Sequence, residues 1–234
     1  TRDLLGLDSI SHKTEPLPGV DVLIGAGFGV VSTEDENQGA NLVTGNRFLT
    51  AADAAKISSE RGGRFQVAMR TSGRSGRRVL KEAAEIAIQH DRRLFGFFGF
   101  EGAHFPFQTA DGDFHPVKDT QGLESYTLAE VEENPTLAEC TRAALAVLGQ
   151  DERSFWLMIE AGDVDWANHA NNLDSSVGTV FSGEAAFNEV TQWAESRGVW
   201  DELAIIVTSD HGHYFVLTDP KSLISDAASE RPRR

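Results

Sequence analysis

The sequence predicts an α/β protein with a mainly parallel sheet flanked by helices. Four apolar segments of strand length are spread along the 234 residues, and helical patterns lie between them. Strands that alternate with helices are joined by right-handed crossovers, which bring parallel strands side by side. Because 40% of the residues are apolar, the chain can bury a substantial core, and we expect one domain over residues 1–234.

The four predicted strands are continuous apolar runs, which are typical of strands covered on both faces of a parallel sheet. Their sequences are VDVLIGA (20–26), RLFGFFGF (93–100), SFWLMIEA (154–161) and LAIIVTSD (203–210). Each run is too short to span a membrane, and no run of 18 apolar residues occurs anywhere in the sequence. We therefore expect no membrane span.

Capping residues predict where the helices begin and end. Thr50 and Asp53 resemble a capping box at a helix start. Asn134–Pro135 suit the N-cap and first turn of a second helix, which Gly149 ends. Residues 183–196 carry Phe187, Val190 and Trp193 at helical spacing, so a third helix is expected there.

Two regions lack any periodic pattern. Residues 101–133 combine Gly, His, Pro and several acids, and they are expected to form a long excursion over the strand ends. Residues 219–234 are expected to be flexible.

The net charge of -15 argues against a nucleic-acid partner, because phosphate contacts depend on Lys and Arg. Residues 61–93 are the exception, with nine basic and three acidic side chains. This segment is either a solvated helix face and loop or a region that attracts phosphate-bearing substrates. Cys140 is the single cysteine and is expected to be buried, so neither an intrachain disulfide nor a cysteine-rich metal site is possible.

Acids and histidines follow two of the predicted strands. Glu160 ends one strand, and Asp210 and His211 end another. Asp165 and His169 are four residues apart, so on a helix they share one face. Ligands of parallel sheets bind at the carboxyl ends of strands, and carboxylate and imidazole donors without thiolate suit a catalytic Zn²⁺, while oxygen donors suit Mg²⁺. These residues therefore predict a metal site.

Two motifs around these residues resemble the alkaline phosphatase family. IEAGDVDWANHANN (159–172) resembles the bacterial element E-G-x-x-I-D-W-x-x-H-A-N, and VTSDHGH (207–213) resembles V-T-A-D-H-x-H. Three further elements agree in order and approximate spacing: VDVLIGAG, LFGFFG and NPTLAECTRAALAVL. The resemblance extends from about residue 20 to residue 216.

The resemblance implies phosphate monoester hydrolysis at a site with two Zn²⁺ and one Mg²⁺, through a phosphoserine intermediate in the complete enzyme. It implies that Glu160 is the Mg²⁺ ligand. It implies two of the three ligands of each zinc, which are Asp165 and His169 for the first and Asp210 and His211 for the second. His213 matches a histidine beside the first zinc and is expected to contact the ligands rather than the metal.

The nucleophile of the family is not identified in this sequence. In the family, the nucleophilic serine and a bridging aspartate precede the element that VDVLIGAG resembles, and none of the nineteen residues before it here matches their motifs. The family's remaining zinc histidine follows the last motif by several tens of residues, so the fold is expected to be a partial version. Ser175 and Ser176, in LDSSVGTV (173–180), superficially resemble the serine motif but stand where the family continues with a helix.

The remaining motifs and polar residues do not predict a functional site. GAGFG (25–29) lacks the third glycine of the dinucleotide fingerprint and predicts a tight turn. Asp163 is interpreted as a surface acid. His104 and His115 lie in the excursion and are expected to be solvent-exposed.

Three functions are compatible with these patterns. The first is a phosphomonoesterase acting on small-molecule esters. The second is a sister activity, namely phosphodiester or sulfate-ester hydrolysis or a phosphoglycerate mutase. The third is a non-catalytic metal-binding fragment that is active only with a complementing polypeptide, since a zinc with two protein ligands and no nucleophile is an incomplete catalyst. Family resemblance further implies a homodimer and a periplasmic or extracellular location.

Overall fold

The computed structural model describes residues 1–7, 15, 17–32, 45–118, 122–151 and 153–213. The strands in these ranges are β1 (Val22–Gly25), β2 (Val31–Ser32), β3 (Gly45–Asn46), β4 (Phe65–Met69) and β5 (Arg93–Phe97). The α-helices are α1 (Ala51–Ile57), α2 (Gly76–Gln89), α3 (Leu128–Glu132), α4 (Leu137–Leu148), α5 (Asp163–His169) and α6 (Leu173–Arg197). Short 3₁₀ turns occupy Ser59–Arg61 and Trp200–Glu202.

The main sheet is parallel, with the strand order β1-β5-β4. Successive side chains of a strand point to opposite faces, so neighbouring residues of β5 enter different cores. Leu94 packs with Leu80 of α2 and with Cys140 of α4. Phe95 packs on the other face with Leu5 and with Ile57 of α1. The α/β class with a parallel sheet flanked by helices is therefore confirmed.

Helix α2 covers the first of these faces with small and branched side chains. Its buried residues recur at helical spacing and are Gly76, Val79, Leu80, Ala83, Ala84 and Ala87. Cys140 on the neighbouring helix is buried, as expected, and this burial raises the pKa of its thiol. Neither α2 nor β4 is among the elements predicted individually from the sequence, because their arginine-rich surroundings obscure the apolar stripe.

Helix α4 begins later than predicted. Its N-cap is Thr136, whose hydroxyl accepts from the Glu139 amide at 3.3 Å while the Glu139 carboxylate accepts from the Thr136 amide at 2.9 Å. Asn134, the expected cap, instead accepts from the Gly99 amide at 2.6 Å and ties this helix to the turn after β5. Gly149 ends the helix as predicted.

Helix α1 opens with half of the predicted capping box. The Thr50 hydroxyl accepts from the Asp53 amide at 3.1 Å, as expected. The Asp53 carboxylate pairs with Arg2. It thereby joins the helix to the start of the chain.

Arginines of the basic segment 61–93 also join elements. Arg70, after β4, donates to the Glu133 carboxylate at 3.0 Å and to the Gly99 carbonyl at 3.1 Å. The Gly73 amide donates to the other Glu133 oxygen at 2.7 Å, and these bonds hold the pKa of Glu133 below its usual value. This part of the basic segment therefore braces the carboxyl end of the sheet.

The other two predicted strands are not formed. Residues 154–161 and 203–210 are neither strand nor helix. Among the described residues, no backbone–backbone hydrogen bond involves 154–160 or 203–209. The outward side chains stay in solvent, since Trp156, Met158, Ile206 and Val207 are 68% to 85% exposed. An apolar run becomes a strand only where a neighbouring strand accepts its backbone hydrogen bonds, and the described part of the chain offers none.

Helix α6 spans both LDSSVGTV and the helix predicted over 183–196. The Asn172 side chain caps it by accepting from the Ser175 amide at 3.0 Å. Ala186 and Ala194 are its buried residues in the second half. The helix predicted over 183–196 is therefore present, and Phe187 on it is exposed.

The excursion, residues 101–133, crosses this helix. Its described residues contain no strand, and α3 is their one α-helix. At the crossing, Gly178 of α6 brings the helix directly against the backbone of Gln108 and Thr109.

Residues 219–234 lie outside the described ranges. Among the described helices, none is both long and apolar enough to cross a membrane.

Candidate metal centre

Helix α5 presents a carboxylate and an imidazole on one face. Asp165 lies in its first turn, where a carboxylate complements the helix dipole, and His169 lies in its last turn. One turn separates them, and Asp165 Oδ1 is 3.5 Å from His169 Nε2. The shared face expected from the i, i+4 spacing is therefore present.

A second segment brings two more imidazoles to the same carboxylate oxygen. Nε2 of His213 is 3.0 Å from Asp165 Oδ1, and Nε2 of His211 is 3.2 Å from it. The ring centroid of His213 lies 4.7 Å from that of His169 and 4.8 Å from that of His211. Residues more than forty positions apart in the chain thus form one cluster.

The cluster fits a zinc ion by donor type and by spacing. Zinc with bonds of about 2.0–2.1 Å in tetrahedral geometry holds its ligand atoms about 3.3 Å apart. The separations from Asp165 Oδ1 range from 3.0 to 3.5 Å. Donor atoms of Asp165, His169 and His213 all lie within 4.8 Å of one another. The side chains are partly exposed, so a small ligand can reach them.

The remaining expected ligands lie at or beyond the border of the cluster. The Asp210 side chain is 94% exposed, and its Oδ2 is 4.0 Å from His211 Nε2. Glu160 is exposed and lies close to Asp163 rather than among the imidazoles. The division of Glu160, Asp165, His169, Asp210, His211 and His213 into ligands and outer partners stays a prediction.

Asp163 is half-buried, which corrects its interpretation as a surface acid. Burial, followed by the charges of Glu160 and Glu124, raises its pKa to about 7. Three carboxylates therefore gather at the start of α5, next to the cluster of Asp165 and the histidines. The sequence hides this arrangement because Glu124 comes from the distant excursion.

His104 is also placed differently from its prediction. It is 4% exposed, and its Nε2 lies 3.1 Å from Glu124 Oε2. Its ring stacks on Phe107 with a centroid distance of 4.0 Å and lies 5.2 Å from the ring of Trp166. The one signal for this burial is the density of aromatic residues in FGFEGAHFPF (98–107), which the interpretation of the sequence did not use. His115 is exposed, as expected.

The positions of the two serines of LDSSVGTV argue against a catalytic role. Ser175 is buried in the first turn of α6. The Ser176 hydroxyl donates to the Asn168 side chain at 2.7 Å and joins α6 to α5. Both serines are helix residues with structural partners.

Comparisons with known proteins agree with the motifs. The family model described as alkaline phosphatase matches residues 20–227. The alkaline phosphatase of Escherichia fergusonii is 25% identical over 217 residues, which are 90% of this chain and 44% of that protein. The alkaline phosphatase of Escherichia coli K12 is 22% identical over 215 residues, again 90% of this chain and 44% of that protein. The membrane-bound alkaline phosphatase of Bombyx mori is 35% identical over 79 residues, which are 34% of this chain and 14% of that protein. The chain thus spans less than half the length of these relatives.

Proposed function

Because this chain belongs to the alkaline phosphatase family, we propose that it carries the metal-binding part of a phosphate monoester hydrolase. The observation that supports this most directly is the convergence of three imidazoles on Asp165 Oδ1. Family membership by itself supports a hydrolase. The zinc and magnesium assignment, the substrate class and turnover by this chain are parts of the proposal.

In this proposal Asp165 and His169 hold one zinc with His213 as a ligand or as the partner that orients the carboxylate. Asp210 and His211 contribute to a second zinc, and Glu160 contributes to a magnesium ion. Bound zinc supplies Lewis-acid polarisation of a phosphoryl oxygen. The protein's own part is to collect imidazoles around one carboxylate and to keep the cluster open to a small ester.

A serine nucleophile is needed for the phosphoserine route, and neither Ser175 nor Ser176 suits that role. A second candidate function is therefore a metal-binding fragment that another polypeptide completes. Within the described part of the chain, 154–160 and 203–209 form no backbone–backbone hydrogen bonds, and Trp156 and Ile206 lie in solvent, which supports this candidate. An added strand would satisfy those backbone groups and cover those side chains.

Family resemblance also motivates two wider proposals, a homodimer and a periplasmic or extracellular location. Phosphodiester or sulfate-ester hydrolysis and phosphoglycerate mutase activity are the competing reactions. Comparing turnover of a monoester, a diester and a sulfate ester under the same metal conditions separates the hydrolytic reactions.

The test of the metal centre is a calorimetric titration with Zn²⁺ of the wild-type chain, Asp165→Asn and the matched control Asp201→Asn. Asp201 is an exposed acid in the 3₁₀ turn after α6. We expect Asp165→Asn to weaken zinc binding at least about 100-fold, since even outer partners of metal ligands contribute about 10- to 100-fold. Equal affinities for the two variants, or no zinc binding by the wild type, would contradict the proposal.

Hydrolysis of p-nitrophenyl phosphate at alkaline pH, measured in the same samples with Mg²⁺ added, separates the two candidate functions. Turnover that disappears in Asp165→Asn supports catalysis by this chain. Zinc binding without turnover supports a fragment that needs a completing polypeptide.

A further inference from the structure

His104 is a buried histidine of the excursion with both ring nitrogens engaged. Its Nδ1 contacts the Phe105 carbonyl oxygen at 2.5 Å, and its Nε2 contacts Glu124 Oε2 at 3.1 Å. A carbonyl oxygen and an ionised carboxylate both accept hydrogen bonds. The backbone oxygen of the next residue and the carboxylate of the distant Glu124 therefore contact the ring at its two nitrogens.

Aromatic rings surround the His104 ring. Phe107 stacks on it with an interplanar angle of 16°, and Phe100 meets it edge-on with a centroid distance of 4.9 Å. Tyr126 packs in turn against Phe100 at 5.5 Å. These stacked and edge-on contacts hold the His104 ring in one orientation.

The His104 ring also touches the metal-binding helix. Its centroid is 5.2 Å from that of Trp166, which lies on α5 next to Asp165 and three residues before His169. Helix α5 has only seven residues, and its N-cap Gly162 offers no side-chain cap. Because so short a helix is marginal alone, its position depends on tertiary contacts.

The excursion holds the other end of α5 as well. The Gly122 carbonyl accepts from the Asn172 side chain at 3.2 Å, just after the helix. A Cβ on Gly122 would lie 2.5 Å from the Ala170 carbonyl, so the two backbones are in direct contact. His104 and Gly122 thus contact α5 at different points.

We infer that His104 is a positioning residue for the metal centre. Through Trp166 it fixes the orientation of helix α5, and so the relative positions of Asp165 and His169. The inference rests on the proposed function in one respect, namely that Asp165 and His169 bind a metal. The positioning of α5 by His104 does not depend on metal binding.

The experiment compares His104→Phe with the matched control His115→Phe, which replaces the exposed histidine of the same excursion. The first readout is amide hydrogen exchange of residues 163–169 in metal-free protein. The second is Co²⁺ titration, followed by the visible absorption of the bound ion. We expect His104→Phe to speed exchange in α5 at least tenfold and to weaken Co²⁺ binding about 10- to 100-fold, while His115→Phe changes neither.

Two further variants separate positioning from general destabilisation. Glu124→Gln removes the carboxylate that His104 contacts, at a half-exposed position. We expect faster amide hydrogen exchange confined to α5, together with an altered visible absorption of bound Co²⁺. In a Trp166→Leu background, His104→Phe should add little to either effect, because the contact it acts through is already gone.

The outcomes distinguish this inference from the proposed function. If the wild type binds no Co²⁺ but His104→Phe or Glu124→Gln still loosens α5, the metal centre fails and the positioning role stands. If His104→Phe destabilises the whole chain, Glu124→Gln decides between the alternatives. If exchange in α5 is unchanged in His104→Phe or in the folded Glu124→Gln protein, the inference is overturned.

Discussion

Gly178 marks the contact between helix α6 and the excursion, and replacing it by alanine tests that contact. A Cβ at this position would lie 2.1 Å from the Gln108 carbonyl oxygen and 2.4 Å from the Thr109 carbonyl carbon. Ordinary contacts begin at about 3.4 Å, so helix and excursion would have to separate by more than 1 Å. No side-chain rotamer relieves this clash, because both partners are backbone.

The excursion is held against such a shift. The Thr109 amide donates to the Asp113 carbonyl at 2.7 Å, and the Ala110 amide donates to Asp174 of α6 at 3.0 Å. Overpacking costs about 1–3 kcal/mol, and a backbone clash belongs at the upper end of that range. Against this, alanine in a helix interior gains about 1 kcal/mol over glycine. We therefore expect Gly178→Ala to lower the free energy of unfolding by about 2 kcal/mol.

Gly183→Ala is the matched control in the same helix. Its added Cβ meets one side-chain atom, the Cβ of Ala161, at 3.1 Å. This variant gains the same helix propensity without a backbone clash, so we expect it to be neutral or stabilised by up to about 1 kcal/mol. Urea unfolding, with the free energy extrapolated to water, measures both variants. If Gly178→Ala is as stable as Gly183→Ala, the close approach of helix and excursion is refuted.

Two further predictions concern the site itself. The raised pKa of Asp163 means that, between about pH 4 and pH 7, the folded chain holds a proton that the unfolded chain releases. The free energy of unfolding therefore falls as pH rises through this window. In the presence of a metal chelator, Asp163→Asn should be more stable than the wild type at pH 8, by at most about 4 kcal/mol, but not at pH 3. Urea unfolding at both pH values checks this, and equal gains would contradict it. Replacing Ser175 and Ser176 together by alanine should leave any p-nitrophenyl phosphate turnover of the folded protein unchanged, and loss of a phosphoenzyme would show that one of them is the nucleophile.

Local patterns in the sequence were sufficient for the class of fold and for the central residues of the site. Apolar runs predicted the strands at 20–26 and 93–100, which the sheet contains as β1 and β5. The spacing of Asp165 and His169 predicted their shared helix face. These features depend on residues close together in the chain, so period and spacing are enough to predict them.

The remaining features of the fold and of the site depend on partners from distant parts of the chain. Residues 154–161 and 203–210 have strand-like composition, but a strand also needs a neighbour for its backbone hydrogen bonds, and composition carries no information about that neighbour. Asp163 carries no local sign of its surroundings, and the aromatic residues around His104 are the one local sign for that histidine, since burial and the distant Glu124 determine both environments. The sequence by itself determined which side chains carry the oxygen and nitrogen donors that the proposed metal site needs. Only the tertiary structure decided which of them meet at Asp165, because convergence depends on how the excursion, α5 and residues 203–213 pack together.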